Sequence, residues 1–157
     1  MMAAIPSAFI QAEMPNLDED EQKRVMMKIT GVLVNLIVKM ALETYRPYVV
    51  FENGKKVLYV QVLKALYGVL VAALLWYKKF RADLEKIGFE FNLYDPCVAN
   101  KIIQSKQHIV QFHVDDLDSS HVNNKVKDEF YIWLNKMYGA HGEVTVTRGK
   151  VHDYLGR

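Results

Sequence analysis

The chain has 157 residues, 51% of them hydrophobic and 24% charged, with a net charge of +2. That length suits one domain with a genuine core and is short for two, and the composition is that of an ordinary soluble globular protein. The near-neutral balance does not select nucleic acid as a partner, and the single cysteine, Cys97, excludes an intramolecular disulfide and a cysteine-based zinc cluster.

Met1-Met2-Ala3-Ala4 has no basic region followed by a long apolar run, so it does not read as a signal peptide. The most apolar stretches, Val32 to Met40 and Leu58 to Tyr77, are broken by Asn35, Lys39, Gln61 and Lys64. Neither reaches the roughly 20 apolar residues of a membrane span. No repeat or low-complexity tract is present.

In chain order, the acidic run Asp18-Glu19-Asp20-Glu21 reads as a solvated turn or the first turn of a helix, where negative charge suits the dipole. Val25, Met27 and Ile29 alternate as in a short strand, which Gly31 ends. Leu33, Leu36, Ile37 and Met40 then recur at helical spacing, and Pro47 closes that region. Asn53-Gly54 between Val49-Val50-Phe51 and Val57-Leu58-Tyr59-Val60 predicts a β-hairpin.

From Leu63 the period changes. Leu63, Leu66, Tyr67, Leu70, Leu74, Tyr77, Phe80, Leu84 and Ile87 fall on one helical stripe, with Gly68 near its start and Gly88 as its stop. Val98 to Ile103 and His108 to Val114 flank Gln104-Ser105-Lys106-Gln107 as a second hairpin. Asn123 or Asn124 caps a further helix. Its buried face is Val126, Phe130, Leu134 and Met137, and Gly139 ends it. Glu143 to Arg148 alternates, with Val144 and Val146 on one face, and Val151 to Leu155 makes a last strand. Hairpins interleaved with helices predict an α+β domain, its sheet largely antiparallel and its helices packed on one face.

The sharpest chemical feature is His113-Val114-Asp115-Asp116-Leu117, an apolar strand running into two carboxylates. Neighbouring side chains of a strand point to opposite faces, but at a hairpin tip both can approach one site. Paired carboxylates suit a hard cation such as Mg²⁺, and two-metal phosphoryl transfer needs carboxylates that bridge or flank the ions. Alone the triplet is weak, since Asp-Asp pairs are common in turns.

Its context is an ordered series: Leu63-Lys64-Ala65-Leu66-Tyr67-Gly68, Trp76-Tyr77, Gly88-Phe89, Asp95-Pro96-Cys97, then Val-Asp-Asp. Upstream stands Ala8-Phe9-Ile10-Gln11-Ala12-Glu13-Met14, and downstream Tyr154-Leu155-Gly156. From about Ile5 to Gly156 this series resembles the reverse transcriptases of copia-type retrotransposons. The resemblance implies a reverse-transcriptase palm with part of the fingers, acting as an RNA-directed DNA polymerase with two Mg²⁺ ions. It implies an RNA or DNA template-primer and deoxynucleotides as partners, no membrane, and an intracellular setting, cytoplasmic or nuclear.

By the same resemblance Asp115 and Asp116 are the catalytic, metal-binding carboxylates. Phe9 lies beneath the incoming sugar, with Tyr67 and Gly68 near the nucleotide. His113, where the family has tyrosine, contacts the primer, as do Tyr154, Leu155 and Gly156. Two departures stand out. The family's other metal-binding aspartate precedes Ala-Phe by four positions, and here that residue is Ala4. After Gly68 the family has Leu-Lys-Gln-Ala-Pro-Arg, where this chain has Val69-Leu70-Val71-Ala72-Ala73-Leu74. Residues 1–157 read as a single incomplete domain without thumb or RNase H, inactive alone and prone to self-association through surfaces that truncation uncovers. A non-catalytic remnant touching nucleic acid weakly through Lys78, Lys79, Arg81 and Lys86 is the alternative.

Overall fold

A computed structural model describes residues 1–14 and 24–149. The acidic run Asp18 to Glu21, the last strand and the Tyr154-Leu155-Gly156 segment lie outside the described residues. In chain order the elements are β1 (Met2–Ala4), β2 (Met26–Thr30), α1 (Val32–Met40), α2 (Leu42–Tyr45), β3 (Val49–Glu52), β4 (Lys55–Gln61), α3 (Ala72–Lys86), β5 (Glu90–Phe91), β6 (Val98–Ile103), β7 (Lys106–His113), β8 (Asp116–Ser120), α4 (Asn124–Tyr138) and β9 (Thr145–Thr147). The fold is α+β with antiparallel sheets. No described helix is long and apolar enough to cross a membrane.

The chain divides into two compact units, one of Met14–Leu63 and one of Met1–Glu13 with the chain from Lys64 onward. The first holds a three-stranded sheet in the order β2-β4-β3. Asn53 and Gly54 adopt φ of 50° and 73° between the paired Glu52 and Lys55. Two consecutive left-handed residues match the twist of the strands they join, as the Asn-Gly signal predicts. Lys28, on β2, forms an ion pair with Glu52, which also accepts a 2.7 Å bond from the Tyr59 hydroxyl. On α1 the structure departs from the sequence reading. Val34 is buried, while Leu33, Leu36 and Met40 of the expected stripe are exposed.

The second unit carries a six-stranded sheet in the order β5-β6-β7-β8-β1-β9. Along β7, His108, Val110 and Phe112 are buried and Gln107, Ile109 and Gln111 exposed. This period of two gives the sheet one packed face. Leu117 and Ser119 of β8 and Ala3 of β1 share the burial. Helices α3 and α4 supply the opposing layer. Phe80 meets Phe112 edge-on at 4.9 Å, and Phe130 meets His108 at 5.2 Å. The β6–β7 turn is Gln104-Ser105 alone, with φ of 53° and 60°, so β7 begins two residues earlier than expected. The Asn123 side chain caps α4 by accepting the Lys125 N–H at 3.0 Å.

The helical stripe expected from Leu63 is also corrected. Helix α3 starts only at Ala72, and Leu63, Tyr67, Leu70 and Leu74 are exposed. Gly68, at φ 92°, turns the chain before the helix begins, a conformation that lacks a steric penalty only for glycine. Phe80 and Leu84 of the expected stripe are buried, and Ala72, Trp76 and Asp83 complete the buried face of α3. On α4, Tyr138 is buried where Met137 was expected.

Asp83 is the unexpected member of this core. It accepts hydrogen bonds from Lys79 at 2.8 Å, Lys86 at 2.9 Å and the Tyr138 hydroxyl at 2.8 Å. Burial opposes its ionisation, but these three donors outweigh it and hold the carboxyl below its ordinary value. Burial and the neighbouring carboxylate push the Tyr138 hydroxyl upward. Truncating Asp83 strands a buried hydroxyl and unpairs two lysines. Asp83→Ala is therefore expected to lower stability by about 1–3 kcal/mol in urea unfolding, the scale of a buried hydroxyl left unpaired.

His108 makes the opposite kind of demand. Its Nε2 lies 2.8 Å from Ser119 Oγ, while its Nδ1 is buried without a partner. Burial, then the charges of His121, Lys101 and Lys127, pull its pKa from 6.5 down to about 4. Above pH 6.5 the ring is neutral whether the chain is folded or not, and stability is unaffected. As pH falls from 6.5 toward 4, the unfolded chain takes up a proton that the folded chain refuses, so stability drops. The shift corresponds to about 3 kcal/mol at 1.36 kcal/mol per pH unit. Urea titrations should show that loss across pH 6.5 to 4, and His108→Phe should flatten it.

Candidate active site

The β7–β8 hairpin closes through the pair His113 and Asp116, leaving Val114-Asp115 as a two-residue tip. Val114 has φ 55°. A β-branched residue there is strained by about 1–3 kcal/mol, and such strain persists only where the surroundings fix it. Two contacts do so. The Trp76 indole N–H donates to the Val114 carbonyl at 2.6 Å, and the Ile5 N–H donates to the Asp115 carbonyl at 2.9 Å. Trp76 is itself locked in the core, stacked on Phe80 at 5.4 Å and edge-on to Tyr138 at 5.3 Å.

After β1 the chain makes a 3-10 turn at Ala8–Gln11, entered through Ser7 at φ 52°. Gln11 donates to the Tyr138 carbonyl at 3.0 Å and fixes this turn to the end of α4. The Ala65 N–H then donates to the Ala12 carbonyl, and Lys64 pairs with Glu13 at 2.8 Å. These links bring Tyr67 beside Phe9, their rings 5.8 Å apart and tilted by 36°. The result is a cavity of about 500 Å³ lined by Ser7, Phe9, Ile10, Leu66, Tyr67 and Asp115, among others. Gly68 adjoins it through the chain at Tyr67.

The structure therefore gathers Phe9, Tyr67 and Asp115 around one hollow. Asp116 differs, because it opens β8 as the cross-strand partner of Ala4 on β1. With Ala4, Met2, Thr145 and Thr147 it lines a separate groove of about 130 Å³. His113 is exposed at the end of β7, paired with Asp116. Ala4 lies between the carboxylate strand and β9, facing Asp116 on one side and Thr145 on the other. Glu13 is committed to Lys64, whose hydrogen bond and charge lower its pKa. Among the described residues no three His, Cys, Asp or Glu side chains group to hold a metal ion.

Of the basic residues on helix α3, Lys79, Arg81 and Lys86 are already engaged. Lys79 and Lys86 bind Asp83, Arg81 binds Glu85 at 2.9 Å and lies over the Phe91 ring, and Lys78 is exposed. Sequence reasoning missed the role of Trp76. The available signal was a tryptophan on an apolar helix, whose buried N–H must find an acceptor. No family model, curated protein or solved structure matches this chain.

Replacing Trp76 by phenylalanine removes the donor and leaves the Val114 carbonyl part-buried and unpaired. The expected cost is about 1–3 kcal/mol in urea unfolding. Amide exchange at Val114, Asp115 and Asp116 should also accelerate relative to the β6–β7 pairing. Unchanged exchange at the tip would show that the indole does not hold it.

Proposed function

We propose that this chain is the palm, with part of the fingers, of an RNA-directed DNA polymerase of the copia retrotransposon type, and that it lacks catalytic competence as it stands. One observation carries the reading. Phe9 and Asp115, remote in sequence, line one cavity beside Tyr67, while Ala4 pairs with Asp116 in the adjoining strands. These are the positions that the resemblance assigns to the sugar contact, a metal ligand, the nucleotide contact and the missing metal ligand. On this reading the Met14–Leu63 unit is the fingers portion, and a template-primer and deoxynucleotide are the partners.

The donor set falls short of two Mg²⁺ ions. A two-metal centre needs carboxylates that flank both ions, and the Ala4 methyl offers no oxygen. The polar and basic residues the family places after Gly68 are replaced by Val69 to Leu74, so nucleotide recognition is weakened as well. Asp83 and Glu85 offset two of the four positive charges along α3, so the helix offers a modest net positive charge to phosphate, in keeping with weak nucleic-acid contact there.

Primer extension on an RNA template with Mg²⁺ should give no product from this chain, and robust extension would overturn the loss of competence. The site itself is tested by Ala4→Asp. That change should tighten Mn²⁺ binding, read by electron paramagnetic resonance, at least about tenfold, or ~1.4 kcal/mol. Asp116→Asn in the same background should abolish the gain, since Asp116 is the cross-strand partner of position 4. No gain on Ala4→Asp would mean that position 4 and Asp116 do not form a metal site.

A further inference from the structure

The Phe9–Asp115 hollow has walls of unequal chemistry. Of the residues that line its volume of about 500 Å³, Phe9, Ile10, Leu66 and Val114 are half-buried and apolar, and Tyr67 is 91% exposed. Proteins hold small organic ligands in hollows of about 300–1,000 Å³, between apolar walls and a few polar groups. Here the polar side chains are those of Ser7, Tyr67 and Asp115.

Charge decides among the possible guests. Asp115 carries the only formal charge on these walls. Its carboxylate is exposed and has no ion pair or hydrogen bond among the described residues. Lys64, the basic residue closest in sequence to Tyr67, is committed to Glu13 at 2.8 Å. The segment after Gly68 supplies no counter-charge, since Val69 to Leu74 are all uncharged. An anion would therefore meet the carboxylate with nothing to offset it. A neutral guest that covered the carboxylate would strip its water without supplying a partner. A cation replaces that water with an opposite charge.

The aromatic walls point the same way. The Phe9 and Tyr67 rings lie 5.8 Å apart, tilted by 36°. Ring faces attract ammonium groups through their quadrupoles. One carboxylate, two rings and the aliphatic chains of Ile10, Leu66 and Val114 together complement an apolar body that carries positive charge.

We propose that this hollow binds an organic cation, with its apolar body against Phe9, Ile10, Leu66 and Tyr67 and its ammonium at Asp115. The proposal rests on the walls of the hollow and goes beyond the polymerase reading, which gives the same walls to a nucleotide.

The test is an NMR titration of the ¹⁵N-labelled intact chain at neutral pH and low salt, without divalent metal. The probes are 2-phenylethylammonium, 2-phenylethanol, phenylacetate and dATP. The ammonium should saturate at a Kd below about 10 mM, the range expected of a nine-atom ligand, and should move the Phe9, Tyr67 and Asp115 amides. The alcohol keeps the carbon skeleton without the charge. It should bind at least about threefold more weakly, the scale of an exposed ion pair with a cation–π contact. Phenylacetate and dATP should not saturate in that range. Added salt should shrink the advantage of the ammonium. Asp115→Asn, at the exposed tip, should bring ammonium and alcohol to parity. No saturation, an alcohol or anion bound as tightly as the ammonium, shifts confined to other residues, or a preference that survives Asp115→Asn would each overturn the proposal. None of these arms uses primer, template or metal, so their failure leaves the polymerase reading to primer extension.

Discussion

The Trp76 indole and the Val114 carbonyl meet where helix, sheet and cavity converge. The hairpin tip is strained at Val114, so it needs an external hold. Trp76 supplies one from the helix layer and Ile5 supplies another from β1, at 2.6 Å and 2.9 Å. Trp76 can do this because Phe80 and Tyr138 leave it no other place. Tyr138 in turn is fixed through its hydroxyl to Asp83, whose charge is matched by Lys79 and Lys86. The conformation of Val114-Asp115 thus depends on a chain of contacts running from surface lysines, through a buried carboxylate and two aromatic rings, to a backbone carbonyl. Both layers must be assembled before the tip is defined.

Elements carrying local signals were legible in the sequence. Asn53-Gly54 dictates its own turn, Asn123 its own cap, and the Val98–Ile103 strand follows from β-branched runs beside turn residues. The Leu63 stripe misled because spacing alone cannot distinguish a helix from a turn that happens to expose leucines. Gly68 at φ 92° decided the matter, and Leu70 ended fully exposed. Asp83 and Trp76 were hidden for a related reason. A charged residue three positions after an aromatic one reads as a solvated helix face until the partner tyrosine, 55 residues onward, is placed against it. The gathering of Phe9, Tyr67 and Asp115 was accessible only through the ordered family resemblance, because no periodicity links residues so distant. The expected convergence of Asp115 and Asp116 on one hollow was too simple. Register puts Asp116 in a strand and Asp115 in the tip, and the two border different hollows.

Strand register also explains how the site can change while the fold persists. Pairing Ala3 with Leu117 and Ala4 with Asp116 directs the apolar pair into the core and leaves the other pair on the open face. A slip of one residue would reverse both. The packed face therefore fixes the register, and the open face merely inherits it. Chemistry at position 4 is decoupled from the contacts that stabilise the sheet.

That decoupling has a sign. Cross-strand partners stand about 4.5–5.5 Å apart at Cβ, where like charges directly opposite are destabilising. A carboxylate at position 4 would face Asp116, with Asp118 on the same face of β8, and only a bound cation would offset the repulsion. Alanine avoids that repulsion and offers no oxygen to a cation. In the metal-free protein the alanine is thus the more stable choice, and a carboxylate is favoured only when a cation binds the folded state preferentially. Without a bound cation, electrostatics accordingly favours a neutral residue at this strand position. Asp115 has no such pressure on it, since it occupies the solvent-exposed tip and has no cross-strand partner. A carboxylate at the tip and an alanine in the neighbouring strand are what the electrostatics of the two positions favour.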